Sequence, residues 1–186
     1  MVDNDAETDE RLLSRMAGGD EDALATFYRR HESALFRFIL TRMNDSFEAG
    51  DLVIEVMHEA WRSAARYQGR SAVKSWLFGI ARHKALDRVR SQGRHKADTL
   101  EETDEVPDTS TIDALAAAED AEAVRHCLEG LSAQHREVVH LAFYEDLSYH
   151  EISKIAECPE GTVKTRIFHA KRALKACLAQ ITGSVS

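Results

Sequence analysis

The chain reads as an all-α protein of two small helical domains joined by an acidic, flexible linker, and three observations predict it. Ala, Leu, Glu and Arg recur at three- and four-residue spacing, whereas runs alternating Val, Ile and Thr are scarce. Only two prolines and nine glycines punctuate 186 residues, and 44% hydrophobic content is enough for globular cores. Charge is segregated along the chain. Residues 60–96 hold ten Lys or Arg against one acid, and residues 161–186 hold five and none. Between them, residues 98–122 carry ten acids and no Lys or Arg, so the net charge of −8 conceals two cationic units on either side of an acidic stretch.

Other classes are disfavoured on the same grounds. No apolar run approaches the roughly 20 residues that span a bilayer, and the acidic start "MVDNDAETDE" is unlike a secretory signal, so a cytoplasmic protein without membrane insertion is expected. Cys127, Cys158 and Cys177 are odd in number, far apart and contain no CxxC, which favours reduced thiols over a disulfide scaffold or a zinc site. His126-Cys127 has no third ligand at usable spacing, so no metal, cofactor or catalytic constellation is expected.

In order, residues 1–9 form an acidic tail, and "ERLLSRMA" is a short helix stopped by Gly18-Gly19. Asp20 then caps a helix with Leu24, Phe27, Leu35, Phe38 and Ile39 near one face. After a break at 43–50, "DLVIEVMHEAWRSAARY" carries the stripe Leu52, Val53, Val56, Met57, Ala60 and Trp61, with Asp51 at its helix N-terminus. The chain turns at Gly69, and Ser71 is expected to cap the next helix. There Val73, Trp76, Leu77, Ile80 and Leu86 face inward while Lys74, Arg82, Lys84, Arg88 and Arg90 face outward. Trp76 suits the core better than an exposed stacking platform. This first domain spans 10–95. The linker, 96–112, lacks periodicity and contains Pro107.

The second domain, 113–180, precedes a tail at 181–186 and contains a helix-turn-helix. Ser148 and Glu151 form a capping box for a short helix with Ile152, Ile155 and Ala156 inward. A turn at Glu157-Cys158 follows, and Pro159 takes the first position of the next helix. In that helix Val163, Ile167, Ala170, Leu174 and Cys177 share one face, with Thr165 and Arg172 nearly opposite. Cations and hydroxyls on the exposed face suit major-groove DNA. Lys164 and Thr165 are placed for base edges, and Arg166, Lys171 and Arg172 for phosphates.

Four segments in this order, "LLSRMAGGDEDALATFYRRHESALFRFIL", "DLVIEVMHEAWRSAARY", "SAVKSWLFGIARHKALDRVR" and "LSAQHREVVHLAFYEDLSYHEISKIAECPEGTVKTRIFHAKRAL", resemble the extracytoplasmic-function group of the sigma-70 family of bacterial RNA polymerase sigma factors. The resemblance covers about residues 10–178. It implies a non-enzymatic subunit that binds core RNA polymerase, recognises minus-10 and minus-35 promoter elements and assists melting for a stress-type regulon. A stand-alone helix-turn-helix repressor or activator is the alternative, disfavoured by the cationic block at 60–96.

The resemblance also implies roles for individual residues. Asp51, Ile54 and Glu55 would contact the clamp helices of the largest polymerase subunit, the flap of the second subunit being a further contact of the family. Gln68, Gly69, Arg70, Lys74, Trp76, Arg82, His83, Lys84 and Arg88 would hold the melted minus-10 strand, chemistry that cations and stacking surfaces suit. Lys164, Thr165 and His169 match the minus-35 readers. An anti-sigma factor covering these faces is expected, and the acidic linker would thread near the polymerase active site.

The sequence departs from the family pattern at four places. Ile54 replaces a usual Gln, His83 an Asn, His169 an Arg and Glu157 the Gly of the turn. A His at position 169 should make promoter binding tighten as pH falls toward 6. A left-handed backbone at Glu157 would cost on the order of 1 kcal/mol.

Overall fold

The computed structural model describes residues 7–43, 45–93 and 121–183, which form two compact units, one within Met1–His95 and the other within Lys96–Ser186. All described regular structure is helical. The linker expectation for 96–112, and the helix start placed at 113, lie outside the described residues.

In the first unit, α1 (Asp9–Ala17) begins at Thr8 and ends at Gly18, and Gly19 turns the chain with φ 86°. Helix α2 (Glu21–Leu40) starts at Asp20, whose carboxylate accepts from the backbone N–H groups of Asp22 and Ala23. Helix α3 (Ser46–Ser63) starts five residues earlier than the sequence suggested. Its cap is Asp45, which accepts from Phe47 and Glu48 N–H, so Asp51 lies in the helix interior, away from its N-terminal charge. A single 3-10 turn (Ala64–Arg66) leads into a loop, and α4 (Val73–Gly93) follows. Ser71 does not cap α4: the Ala72 carbonyl takes the first bond, from Trp76 N–H, and the Ser71 carbonyl accepts from Tyr67 Oη.

The helices converge because each buries one apolar stripe. Leu12, Leu13 and Met16 of α1 are sealed with Phe27, Leu35, Phe38 and Ile39 of α2, Leu52 and Val56 of α3, and Leu77 and Phe78 of α4. Phe38 meets Phe78 edge-on, with ring centroids 5.0 Å apart. Each large side chain so buried contributes about 1.5–3 kcal/mol of transfer free energy. Leu24 and Ile80 are only half-buried.

An ionic cluster ties α1 to α2. Asp9 sits 2.5 Å from Arg30 Nη1 and 2.9 Å from His31 Nε2, and His31 is buried against Phe27. Burial alone would raise the Asp9 carboxyl, but contacts from His31 and Arg30 outweigh it and hold the group below the ordinary carboxylate value.

The second unit comprises α5 (Ala121–Glu129), α6 (Ala133–Phe143), α7 (Tyr149–Ala156) and α8 (Glu160–Gly183). Its core gathers Ala123, Cys127, Leu131, Val139, Ala170, Leu174 and Leu178. In the turn from α6 to α7, buried His140 and Glu145 approach to 3.1 Å, and Asp146 takes a left-handed conformation with φ 54°.

One sequence expectation is overturned here. Cys127 of α5 and Cys177 of α8 form a disulfide across 50 residues, with Cα atoms 5.8 Å apart. The spacing along the chain carried no sign of it, because proximity arises only when α5 packs lengthwise on the C-terminal half of α8. Cys158 is the free thiol.

Candidate nucleic-acid interface

In the first unit the loop after α3 is anchored from within. Tyr67 Oη donates to the Ser71 carbonyl at 2.5 Å, and its ring lies 5.3 Å from that of Trp76. Burial, together with the Glu10 charge, pushes the Tyr67 phenol up, so it stays a protonated donor. Gly69 takes a positive φ of 67°, where a side chain would be strained. Gln68, Gly69 and Arg70 are thereby presented together as an exposed turn on a rigid base. Trp76 is half-buried, one part of its ring packed on Tyr67 and the remainder open.

The cations of α4 are not equivalent. His83 is exposed, and Lys74 and Arg82 are half-buried. Lys84 and Arg88, one turn apart, lean onto α3. Arg88 Nη2 donates to Glu55 Oε1 at 2.5 Å, while Lys84 Nζ lies 3.9 Å from Glu55 Oε2. A residue that the family resemblance would put on the polymerase side is thus joined to two that it would put on the DNA side.

On α3, Ile54 is 61% exposed and Phe47, one heptad before it, 81% exposed. Phe47 was missed by the sequence reading, which put this segment in a break between helices. Alongside runs a groove of about 310 Å³ lined by Tyr28, Glu32, Phe36, Arg37, Gly50 and Val53. A Cβ at Gly50 would meet no atom within 4 Å, so the packing leaves its mouth open. Asp51 and Glu55 are exposed on the same helix.

In the second unit the helix-turn-helix is built by local bonds. Ser148 and Glu151 complete the capping box of α7, which buries Ile152, Ile155 and Ala156. Glu157 is left-handed, with φ 52° and ψ 43°, and its N–H and that of Cys158 both close on the Ser153 carbonyl. Pro159 is the residue before α8 rather than its first, its carbonyl accepting from Val163 N–H. His150 and Glu160, 2.8 Å apart, hold the starts of the two helices together.

Helix α8 buries Val163, Ile167, Ala170 and Leu174, which turns the predicted contact residues outward. Lys164 and Arg172 are exposed. The Thr165 hydroxyl donates to the Gly161 carbonyl at 3.0 Å, leaving oxygen lone pairs as acceptors for a base amino group. Arg166 Nη1 rests 3.7 Å from Cys158 Sγ, and Lys171 Nζ lies 5.3 Å from the Phe143 ring centre. His169 lies between Phe168 and, on α6, His135. Among the described residues no cluster of three or more His, Cys, Asp or Glu could hold a metal ion, and no helix is long and apolar enough to cross a membrane.

Described residues that are helical throughout their regular structure, in two units that each present cations, one of them on a helix-turn-helix, define the class of DNA-binding transcription proteins. Residues 27–95 match the family description "Sigma-70 region 2", and residues 121–174 match "Sigma-70, region 4". The chain is 29% identical over 171 residues to the ECF RNA polymerase sigma factor SigK of Mycobacterium tuberculosis, covering 90% of this chain and 91% of that protein. It is 28% identical over 182 residues to the RNA polymerase sigma-H factor of Pseudomonas aeruginosa, covering 92% and 94%. It belongs to the extracytoplasmic-function group of the sigma-70 family. Among solved structures, the fold is similar to that of CnrH in complex with the cytosolic domain of CnrY, with a TM-score of 0.67, 23% identity and coverage of 94% and 99%. It is also similar to the sigma factor RpoE in complex with the anti-sigma factor NepR from Bartonella quintana, with a TM-score of 0.63, 25% identity and coverage of 82% and 96%.

Proposed function

We propose that this chain confers promoter specificity on core RNA polymerase, docking through the α3 face and engaging minus-10 DNA with the first unit and minus-35 DNA with the second. The observation that carries the reading is the pairing of two family regions, in order, with cations placed where each would meet DNA. Exposed Asp51, Ile54 and Glu55, with Phe47 beside them, supply a mixed apolar and acidic surface for the polymerase clamp helices. The flap of the second polymerase subunit would take the second unit. The Gln68, Gly69 and Arg70 turn, backed by Trp76 and flanked by Lys74, Arg82, His83, Lys84 and Arg88, would hold an unpaired strand by charge and stacking. Lys164 and Thr165, with His169 at the family's third reading position, would read base edges, and Arg166, Lys171 and Arg172 would hold the backbone.

The regulatory partner would be an anti-sigma factor covering these surfaces, a reading supported by the RpoE complex with NepR. The chain acts in this scheme as a subunit rather than an enzyme, in the cytoplasm, on a stress-type regulon. The test is transcription in vitro by core polymerase plus this protein on a randomised promoter library. Initiation at a recurring two-part motif is expected. No initiation above core alone, with tight duplex binding by the free protein, would favour a stand-alone repressor or activator.

A further inference from the structure

We infer that Gly79 is a positioning residue whose missing side chain lets one unpaired base of the minus-10 strand stack on the open part of the Trp76 ring; this rests on the proposed reading of α4 as the helix that meets that strand. Gly79 is the seventh residue of α4, well inside the helix, where glycine is a weaker helix former than alanine. Among the described residues the glycines with positive φ are Gly19 and Gly69, so the helical backbone at 79 would suit alanine. Packing does not call for glycine either. A Cβ at Gly79 would meet no atom within 4 Å beyond its two chain neighbours and its own helix backbone.

The place of Gly79 on the helix points to what needs the space. Val73, Leu77, Phe78, Ala81 and Ala85 bury one face of α4, and the helical repeat puts Gly79 nearly opposite them. Trp76, one turn before, and His83, one turn after, share its face. Helical side chains lean toward the N-terminus, so a side chain at 79 would lie back over Trp76. Tyr67 already packs on one part of that ring, at 5.3 Å between centroids. With no side chain at 79 the remainder stays open, and Trp76 is only half-buried.

An aromatic surface beside bare backbone takes a flat, uncharged ring, and the charges around it select a ring joined to phosphates. Arg70 is exposed on the turn before α4, and Lys74 and Arg82 lie within two turns of Trp76. Asp87, the one acid of α4, is eight residues beyond Gly79 and lies 3.8 Å from Arg90. A nucleotide base is therefore the fitting occupant. Trp76 makes the contact, and Gly79 acts through it by clearance; stacking of this kind tolerates any base.

The experiment uses the full chain bound to core polymerase and a labelled single-stranded oligonucleotide carrying the non-template minus-10 sequence that the promoter library returns. Affinity is read by fluorescence anisotropy, and the thermal midpoint of the free chain is measured alongside. Gly79→Ala is expected to raise the midpoint of the first unit by about 4–8 °C. The same change should weaken oligonucleotide binding about threefold, and Gly79→Leu about tenfold, toward the level of Trp76→Ala. A gain in stability together with a loss of binding is an outcome that a packing role would not produce. In a Trp76→Ala background, Gly79→Leu should change affinity by less than about twofold, because the surface it would cover is gone. A Gly79→Leu variant that binds as tightly as the wild type, or is weakened equally with and without Trp76, overturns the stacking site, while initiation by the wild type on the library leaves the promoter reading intact. No initiation by the wild type on any library promoter overturns both.

Discussion

Glu55 of α3 and Arg88 of α4 form an ion pair, 33 residues apart in sequence, that joins the helix proposed to meet polymerase to the helix proposed to meet the melted strand. Glu55 remains 46% exposed on its side chain and Lys84 stands 3.9 Å away, so one carboxylate occupies two of the cations that single-stranded DNA would use. Solvent screening keeps its contribution to folding below about 1 kcal/mol. Its larger effect falls on which anion those cations face.

Glu55→Gln should therefore raise the affinity of the free protein for a single-stranded minus-10 oligonucleotide by roughly two- to fivefold at low salt. The same change should weaken binding to core polymerase, where Glu55 is a proposed contact. Anisotropy with a labelled oligonucleotide checks the first effect and competition for core polymerase the second. Unchanged oligonucleotide affinity would show that Lys84 and Arg88 do not meet the strand.

The turn of the helix-turn-helix stores local strain. Glu157 carries a Cβ in a left-handed conformation, as feared from the missing glycine, because its N–H must reach the Ser153 carbonyl to end α7. Glu157→Gly should stabilise the second unit by about 0.5–1 kcal/mol, read as a rise in its thermal midpoint. A fall would show that Glu157 makes contacts worth more than the strain.

The Cys127–Cys177 link closes a 50-residue separation. Constraining the unfolded chain over that length contributes about 2–4 kcal/mol. Cys127→Ser/Cys177→Ser, or addition of reductant, should lower the urea midpoint of the second unit and leave the first unit unaffected. Three free thiols by mass spectrometry in protein handled without reductant, rather than that of Cys158 alone, together with an unchanged midpoint, would refute the link.

Acid should loosen the junction of α1 and α2. The Asp9 carboxyl is held below its unfolded value, so its stabilisation is fully present above about pH 4 and is lost as pH falls through the lower folded value. Asp9→Asn should destabilise the first unit by about 1.5–3 kcal/mol at pH 7, the range for hydrogen bonds to charged groups. The gap between variant and wild type should close toward pH 2. A gap constant from pH 7 to 2 would place the effect in packing rather than charge.

Much of the local architecture was legible from neighbouring residues. Asp20 after a glycine pair, and Ser148 with Glu151 three positions on, act within one helical turn, and both cap as their spacing indicated. Ser71 misled because its carbonyl, not its side chain, is bound by Tyr67. The start of α3 was misplaced because Asp45 is a cap equal in kind to Asp51 and the intervening Phe47 faces solvent, breaking the apolar periodicity there.

Helix formation, the caps at Asp20 and Ser148 and the apolar stripes were determined by the sequence alone, since each arises among residues within a few positions of one another, and the segregation of charge is a property of the linear chain. Three relationships were decided only by the tertiary structure: Cys127 with Cys177, Glu55 with Arg88, and His135 with His169. The physical reason is common to all three. Each pair sits on different helices, and its distance depends on where one helix packs along another, which helical periodicity leaves open.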